Sequence, residues 1–153
     1  MYERIVVALD GSPAAEQILP HVRALAHQFG SRLTLVEATV AVEQVATAME
    51  PTMGGGVYDP ELIEEALESD EDVATSYLDR VAADLRADDL AVDVEHPAGP
   101  ADDVIIETAE RLKADLIALT THGRGGLEKL VFGSVAQSVV RKSHCPVLLV
   151  RSI

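Results

Sequence analysis

The sequence predicts an α/β domain built on an open parallel sheet with helices on both faces. Three observations point there. Short apolar runs alternate with amphipathic stretches in the order β-α-β-α-β-α-β-α-β. The first run, RIVVAL at 4–9, is continuous rather than alternating, as a central strand buried on both faces should be. Turn and capping residues such as Asp10-Gly11-Ser12-Pro13, Asp59-Pro60 and Pro97-Ala98-Gly99-Pro100 punctuate the runs.

Each element has its own warrant. After strand 4–9, Ser12 is placed as an N-cap and Pro13 as the first helical residue. The helix is expected to run to about His27, with Ile18, Val22, Leu25 and Phe29 on its buried face and Gly30 as its stop. Residues 32–38, RLTLVEA, form the second strand. From 39 to 58 the signals weaken: PTMGGGVYDP reads as a mobile loop, preceded by a helical turn near 42–49. Asp59 and Pro60 restart order, and a long helix follows over 61–86, with Val73, Tyr77, Val81 and Leu85 as its stripe. The acidic run at 68–72 is expected to be solvated and to bend or break that helix; it lacks the glycine and terminal glutamate of a calcium loop. Residues 91–96, AVDVEH, alternate and so belong at a sheet edge. Pro100 opens a helix whose first turn carries Asp102 and Asp103, with Val104, Ile105, Thr108 and Leu112 inward. Strand 116–119, helix 133–142 with Val135, Val139 and Val140 inward, and strand 147–150 complete the chain. Neither an internal repeat nor a second domain is visible, so residues 1–153 read as one domain.

Composition limits the function. The net charge is -14, from 26 acidic and 12 basic residues, which argues against nucleic-acid or anionic-membrane binding. It also resembles the acidic surfaces of salt-accumulating halophiles, where high salt screens self-repulsion, although an ordinary acidic cytoplasmic protein is the plainer reading. No apolar run is long enough to span a bilayer, and MYERIVVALD reads as a strand rather than a signal peptide, so a cytoplasmic location is the simplest expectation. The single cysteine, Cys145, cannot form an internal disulfide and reads as a structural bystander, with a reactive thiol as the lesser alternative.

The chemistry is expected beyond the carboxyl ends of the strands, where the strand order switches. Asp10, Ala38 and the loop 120–126 end there by sequence. The stretch LIALTTHGRGGLEKLVFGSVAQSVV joins a strand, a glycine-rich loop and a helix start, a combination that converges backbone N–H groups on an anion. Gly123 permits close approach, Gly133 leaves room for a phosphate, Ser134 and the Val135 amide can donate, and Arg124 can offset phosphate charge. Ser134 reads equally as a helix cap, and the two roles can coexist. His122 lies in the loop, within the set of residues able to contact phosphate or to act as a base, though nothing in the sequence positions it for the second role. Asp10 can accept a ribose hydroxyl or help hold Mg²⁺ bound to phosphates, or it can simply close a turn. His21, His27, His96 and His144 show no metal spacing. The Walker A pattern, the G-x-G-x-x-G fingerprint and the G-x-S-x-G elbow are all absent, so a Ser134/His122/Asp10 triad carries little weight.

Two stretches carry a resemblance. RIVVALDGSPAAEQIL and ADLIALTTHGRGGLEKLVFGSVAQSVVRKSHCPVLLV resemble the opening and closing signatures of the universal stress protein family, single-domain type. The nucleotide-binding branch carries Gly-x2-Gly-x9-Gly-Ser/Thr; here the positions hold Thr120, Gly123, Gly133 and Ser134, with the spacer 124–132 kept. Thr120 replaces the first glycine, and its β-carbon would either crowd a ribose or phosphate or offer a hydrogen bond. The resemblance implies a Rossmann-like five-stranded sheet in the order 3-2-1-4-5. It implies an adenine nucleotide, ATP or else AMP or ADP; Mg²⁺ enters only through the alternative role of Asp10. Asp10 would meet the ribose; Ala38 backbone atoms would hold the adenine, with Ala8 lining that pocket. Leu119 and Thr120 would flank the ribose, and Gly123, Arg124, Gly133, Ser134 and Val135 would surround the phosphates. It also implies a homodimer paired through 146–152 and a regulatory role toward a protein partner. The alternatives are a nucleotide-independent interaction dimer of the same family and, behind both, a slow ATPase, for which no residue is placed as a general base.

Overall fold

The computed structural model describes residues 1–48, 59–122 and 132–152. Among them are five strands: β1 Arg4–Ala8, β2 Arg32–Val36, β3 Ala91–Glu95, β4 Leu116–Thr120 and β5 Val147–Val150. All pair in parallel, in the order β3-β2-β1-β4-β5. The helices are α1 Pro13–Glu16, α2 Leu19–Phe29, α3 Val42–Ala48, α4 Pro60–Arg86, α5 Ala101–Leu112 and α6 Ser134–Lys142. This is the doubly wound architecture expected, with the strand order reversing between β1 and β4.

Alternation along the strands splits the core in two. Ile5, Val7, Leu33, Leu35 and Ala118 face α1, α2 and α4, against Ile18, Val22, Leu78 and Leu85. Val6, Ala8, Val36, Ile117 and Leu119 face α5 and α6, against Val104, Ile105, Ala136 and Val139. Burial of β1, β2 and β4 on both faces fits their apolar runs, interrupted in β2 by the buried Thr34. β3 and β5 lie at the edges: β3 alternates, with Val92 buried and Asp93 exposed, and all four residues of β5 are half-buried.

The caps follow the sequence. Ser12 caps α1, its Oγ accepting the Ala15 N–H at 3.1 Å, with Pro13 behind it. Asp59 caps α4 by accepting the Glu61 N–H at 3.0 Å. Gly30 ends α2 at φ 64°, a left-handed conformation natural to glycine.

Some boundaries and faces differ from expectation. The helix expected over 13–27 is two segments, because Pro20 has no N–H and its ring displaces the carbonyl four residues earlier. Gln17 and Ile18 make tight bonds to Ala14 and Ala15 instead, at 3.3 and 3.2 Å. The acidic run at 68–72 neither bends nor breaks the helix; α4 is continuous through it. Val73, Phe29 and Val140, expected inward, are exposed, while Ala74, Ala26 and Ala136 are buried. Leu112 and Val135 are only half-buried. A helix over 42–48 confirms the expected turn, whereas most of the expected loop, 49–58, lies outside the described residues. Cys145 packs against the α5/α6 core, as a buried apolar residue would. No helix among the described residues is long and apolar enough to cross a membrane.

Candidate functional site

Because β1 and β4 are neighbours at the point where the order reverses, the residues after them meet at one end of the sheet. Asp10 follows β1. Its Oδ1 accepts the Ser12 N–H at 3.0 Å and the Ser12 hydroxyl at 2.6 Å. Ser12 thus does two jobs, capping α1 and aiming the carboxylate, of which only the first was legible in the sequence. Gly11, between them, has φ 76° and makes the turn possible.

Ala38 follows β2. The Leu9 N–H bonds to the Val36 carbonyl at 2.9 Å, on the β1 side, while the Glu37 and Thr39 N–H groups bond to Glu95 and Pro97 at 3.2 and 3.0 Å, on the β3 side. The alternation directs the backbone of Ala38 toward the β1 side, beyond the last rung that β1 provides. Ala8, at the end of β1, is buried.

The end of β4 and the start of α6 are joined directly. The Gly133 N–H donates to the Thr121 carbonyl at 2.8 Å. A β-carbon built on Gly133 would stand 3.1 Å from that same carbonyl oxygen, so the close approach depends on glycine. One expectation is refined here: the Gly133 amide serves the protein and is committed before any anion arrives. Gly133 is the N-cap of α6, and no side chain caps the helix among the described residues. Ser134 is therefore the first helical residue and not the cap; its side chain is exposed. The N–H groups of Ser134 and Val135 stand in the first turn, where a helix offers no acceptor of its own.

Leu119 is buried on the α5/α6 face and Thr120 is buried too. The Thr120 hydroxyl donates to the His122 carbonyl at 2.9 Å, and Thr121 Oγ1 lies 3.1 Å from His122 Nδ1. His122 is half-buried. Thr121 was not foreseen as a site residue. Its N–H donates to the Val150 carbonyl at 2.9 Å, its carbonyl takes Gly133, and its Oγ1 accepts the Ser152 N–H at 3.4 Å. Gly123 and Arg124 lie outside the described residues.

The described part of this end of the sheet is acidic. Burial pushes the Tyr77 phenol up, and the carboxylates of Glu16, Glu37 and Asp10 push it further. Arg80 bonds Glu16 at 2.8 Å and stacks over the Tyr77 ring at 5.3 Å, an exposed counterweight to that field. No group of three or more potential metal ligands occurs among the described residues.

Comparison with known proteins decides the family: the model of the universal stress protein family matches residues 1–151. The chain belongs to the universal stress protein family. A universal stress protein of Methanocaldococcus jannaschii is 32% identical over 151 residues, covering 99% of this chain and 83% of that one. Two solved family structures share the fold. One, a universal stress protein in complex with cAMP, has a TM-score of 0.68 at 20% identity, covering 99% of this chain and 98% of its own. The other, a family protein from Arabidopsis thaliana with AMP bound, has a TM-score of 0.67 at 14% identity, covering 98% and 92%.

Proposed function

We propose that this universal stress protein binds an adenine nucleotide at the junction of β1, β4 and α6 and acts as a regulatory or stress-response dimer. The observation that carries the reading is the N-terminus of α6, held against β4 by the 2.8 Å bond from Gly133 to Thr121 and without a side-chain cap among the described residues. The amides of Ser134 and Val135 and the positive end of the helix dipole then form an anion site, with room kept by Gly133. On this reading Asp10, aimed by Ser12, accepts a ribose hydroxyl. The Ala38 backbone bonds the adenine edge, with Ala8 beneath it. Leu119 and Thr120 flank the ribose, and His122, Gly123 and Arg124 attend the phosphates. Relatives seen with AMP and with cAMP support the ligand class.

The acidic neighbourhood of Asp10, Glu16 and Glu37 opposes a bare polyphosphate, which gives a divalent ion a part. Mg²⁺ carried in on the nucleotide would supply the positive charge that screens its phosphates from Asp10. The dimer is assigned to 146–152 because, among the described residues, β5 leaves one backbone edge without a strand beside it.

Calorimetric titration of nucleotide-stripped protein with ATP, ADP and AMP, with and without Mg²⁺ and in concentrated KCl, tests the reading. Saturable binding is expected, and Gly133→Val should weaken it about tenfold, since the β-carbon alone would stand 3.1 Å from the Thr121 carbonyl oxygen and the branched methyls would crowd the junction further. One observation favours a second reading, a nucleotide-independent interaction dimer: the Gly133 amide and the Thr120 hydroxyl are already satisfied within the chain. Absence of binding under every condition, with the fold intact, selects it.

A further inference from the structure

We propose that Thr120, standing where the family pattern has a glycine, is a positioning residue that holds the end of β4 in the shape that receives α6. This rests on the nucleotide reading above and assigns a role to a substitution that would otherwise look like damage to the site. Thr120 is 7% exposed and paired in register with Val150, so its side chain is enclosed rather than projecting freely. Its hydroxyl donates to the carbonyl of His122 at 2.9 Å and closes a turn across Thr121. That turn fixes the orientation of the Thr121 peptide. The carbonyl of Thr121 is the acceptor for Gly133 at 2.8 Å, and its N–H is tied to Val150 at 2.9 Å. Thr121 Oγ1 adds the Ser152 N–H at 3.4 Å and His122 Nδ1 at 3.1 Å.

The consequence runs against a simple motif reading. A glycine at 120 removes the hydroxyl bond and adds backbone freedom that must be lost again when a ligand binds. Restoring the family glycine should therefore weaken nucleotide binding. The hydroxyl, not the bulk of the side chain, carries the effect, because the β-carbon is already accommodated in the buried position.

The full-length chain, stripped of nucleotide and kept in concentrated KCl, is compared with Thr120→Gly, Thr120→Val and Thr120→Ser. ATP affinity is measured by calorimetry, and exchange of the Gly133 amide is followed without ligand by NMR. Thr120→Gly and Thr120→Val should each bind ATP about tenfold more weakly, the loss of one well-placed hydrogen bond. Thr120→Ser, which keeps the hydroxyl, should stay within about twofold of the parent. Gly133 should exchange faster in the first two variants and at the parental rate in the third. A glycine variant that binds as tightly as the parent or tighter overturns the proposal, as does a valine variant with parental affinity. If the parent itself does not bind ATP, the nucleotide reading fails; unchanged Gly133 exchange across the variants then overturns the role of Thr120 independently.

Discussion

Asp102 shows how a single residue can tie two helices together. Its carboxylate accepts the Ser138 hydroxyl at 2.5 Å and the Lys142 ammonium at 2.9 Å, tying the start of α5 to the last turns of α6. The Ser138 bond first, and then Lys142, holds the Asp102 carboxyl below the usual carboxylate range. A depressed folded-state pKa means stabilisation that is complete above the unfolded value and lost as pH falls through the folded one. We expect Asp102→Asn to lower unfolding stability by about 1 kcal/mol at neutral pH. The difference from the parent should shrink as pH falls below the ordinary aspartate value of 3.8. Urea unfolding of both proteins across pH checks this, and a difference constant down to strongly acidic pH refutes it. Nothing local in the sequence announced the pair: Asp102 read as a dipole partner for α5, and Ser138 lies 36 residues away. Ser12 aiming Asp10 and Thr121 collecting three segments escaped for the same reason. Such roles arise from the meeting of elements and have no periodicity of their own.

At the scale of elements, the strands were legible because buried parallel strands must be apolar on both faces, and their ends were marked by turn residues. Helix faces were less so. Weighting large apolar residues put Val73 and Val140 inward, yet Ala74, Ala82, Ala109 and Ala136 occupy the sheet-facing positions. Small residues let a helix lie close on a sheet, and that depends on what the sheet presents. Pro20 carried the signal for the break between α1 and α2, outweighed by the apolar periodicity around it. The edge element supports a prediction of its own. Pro146 and Val150 direct their carbonyls at β4, bonding Ile117 and Thr121 at 3.0 and 2.9 Å. Alternation then turns the Leu149 N–H outward, to the free side of β5. Leu149→Pro removes that outward donor without touching the β4 ladder, so it should convert the proposed dimer to a folded monomer. Sedimentation velocity with circular dichroism reads both. A dimer surviving the substitution places the interface elsewhere.

For the whole molecule, charge is the main influence outside the core. A chain of 153 residues carrying -14 repels itself, and the ion pairs seen, such as Arg23 with Asp84 and Asp88, are too few to neutralise 26 acidic groups. Added salt shortens the screening length from about 10 Å at 0.1 M to about 3 Å at 1 M. We expect the melting temperature to rise steadily with KCl into the molar range, and the protein to loosen in low salt. A melting temperature insensitive to KCl would show that the acidic surface is not a salt adaptation. Fold class was legible at this scale because a parallel sheet with helices on both faces follows from alternation and connection rules; the strand order came only with the family resemblance, and the site depended on how three strand ends and one helix start converge.

The convergence itself is what most needs measuring. Titration of ¹⁵N-labelled protein with Mg-ATP, followed amide by amide, reads it directly. The largest shifts should fall on Ser134 and Val135, with Asp10 and Ala38 moving in the same concentration range. Binding of ATP that leaves the Ser134 and Val135 amides unmoved would contradict the assignment of the α6 N-terminus as the phosphate site.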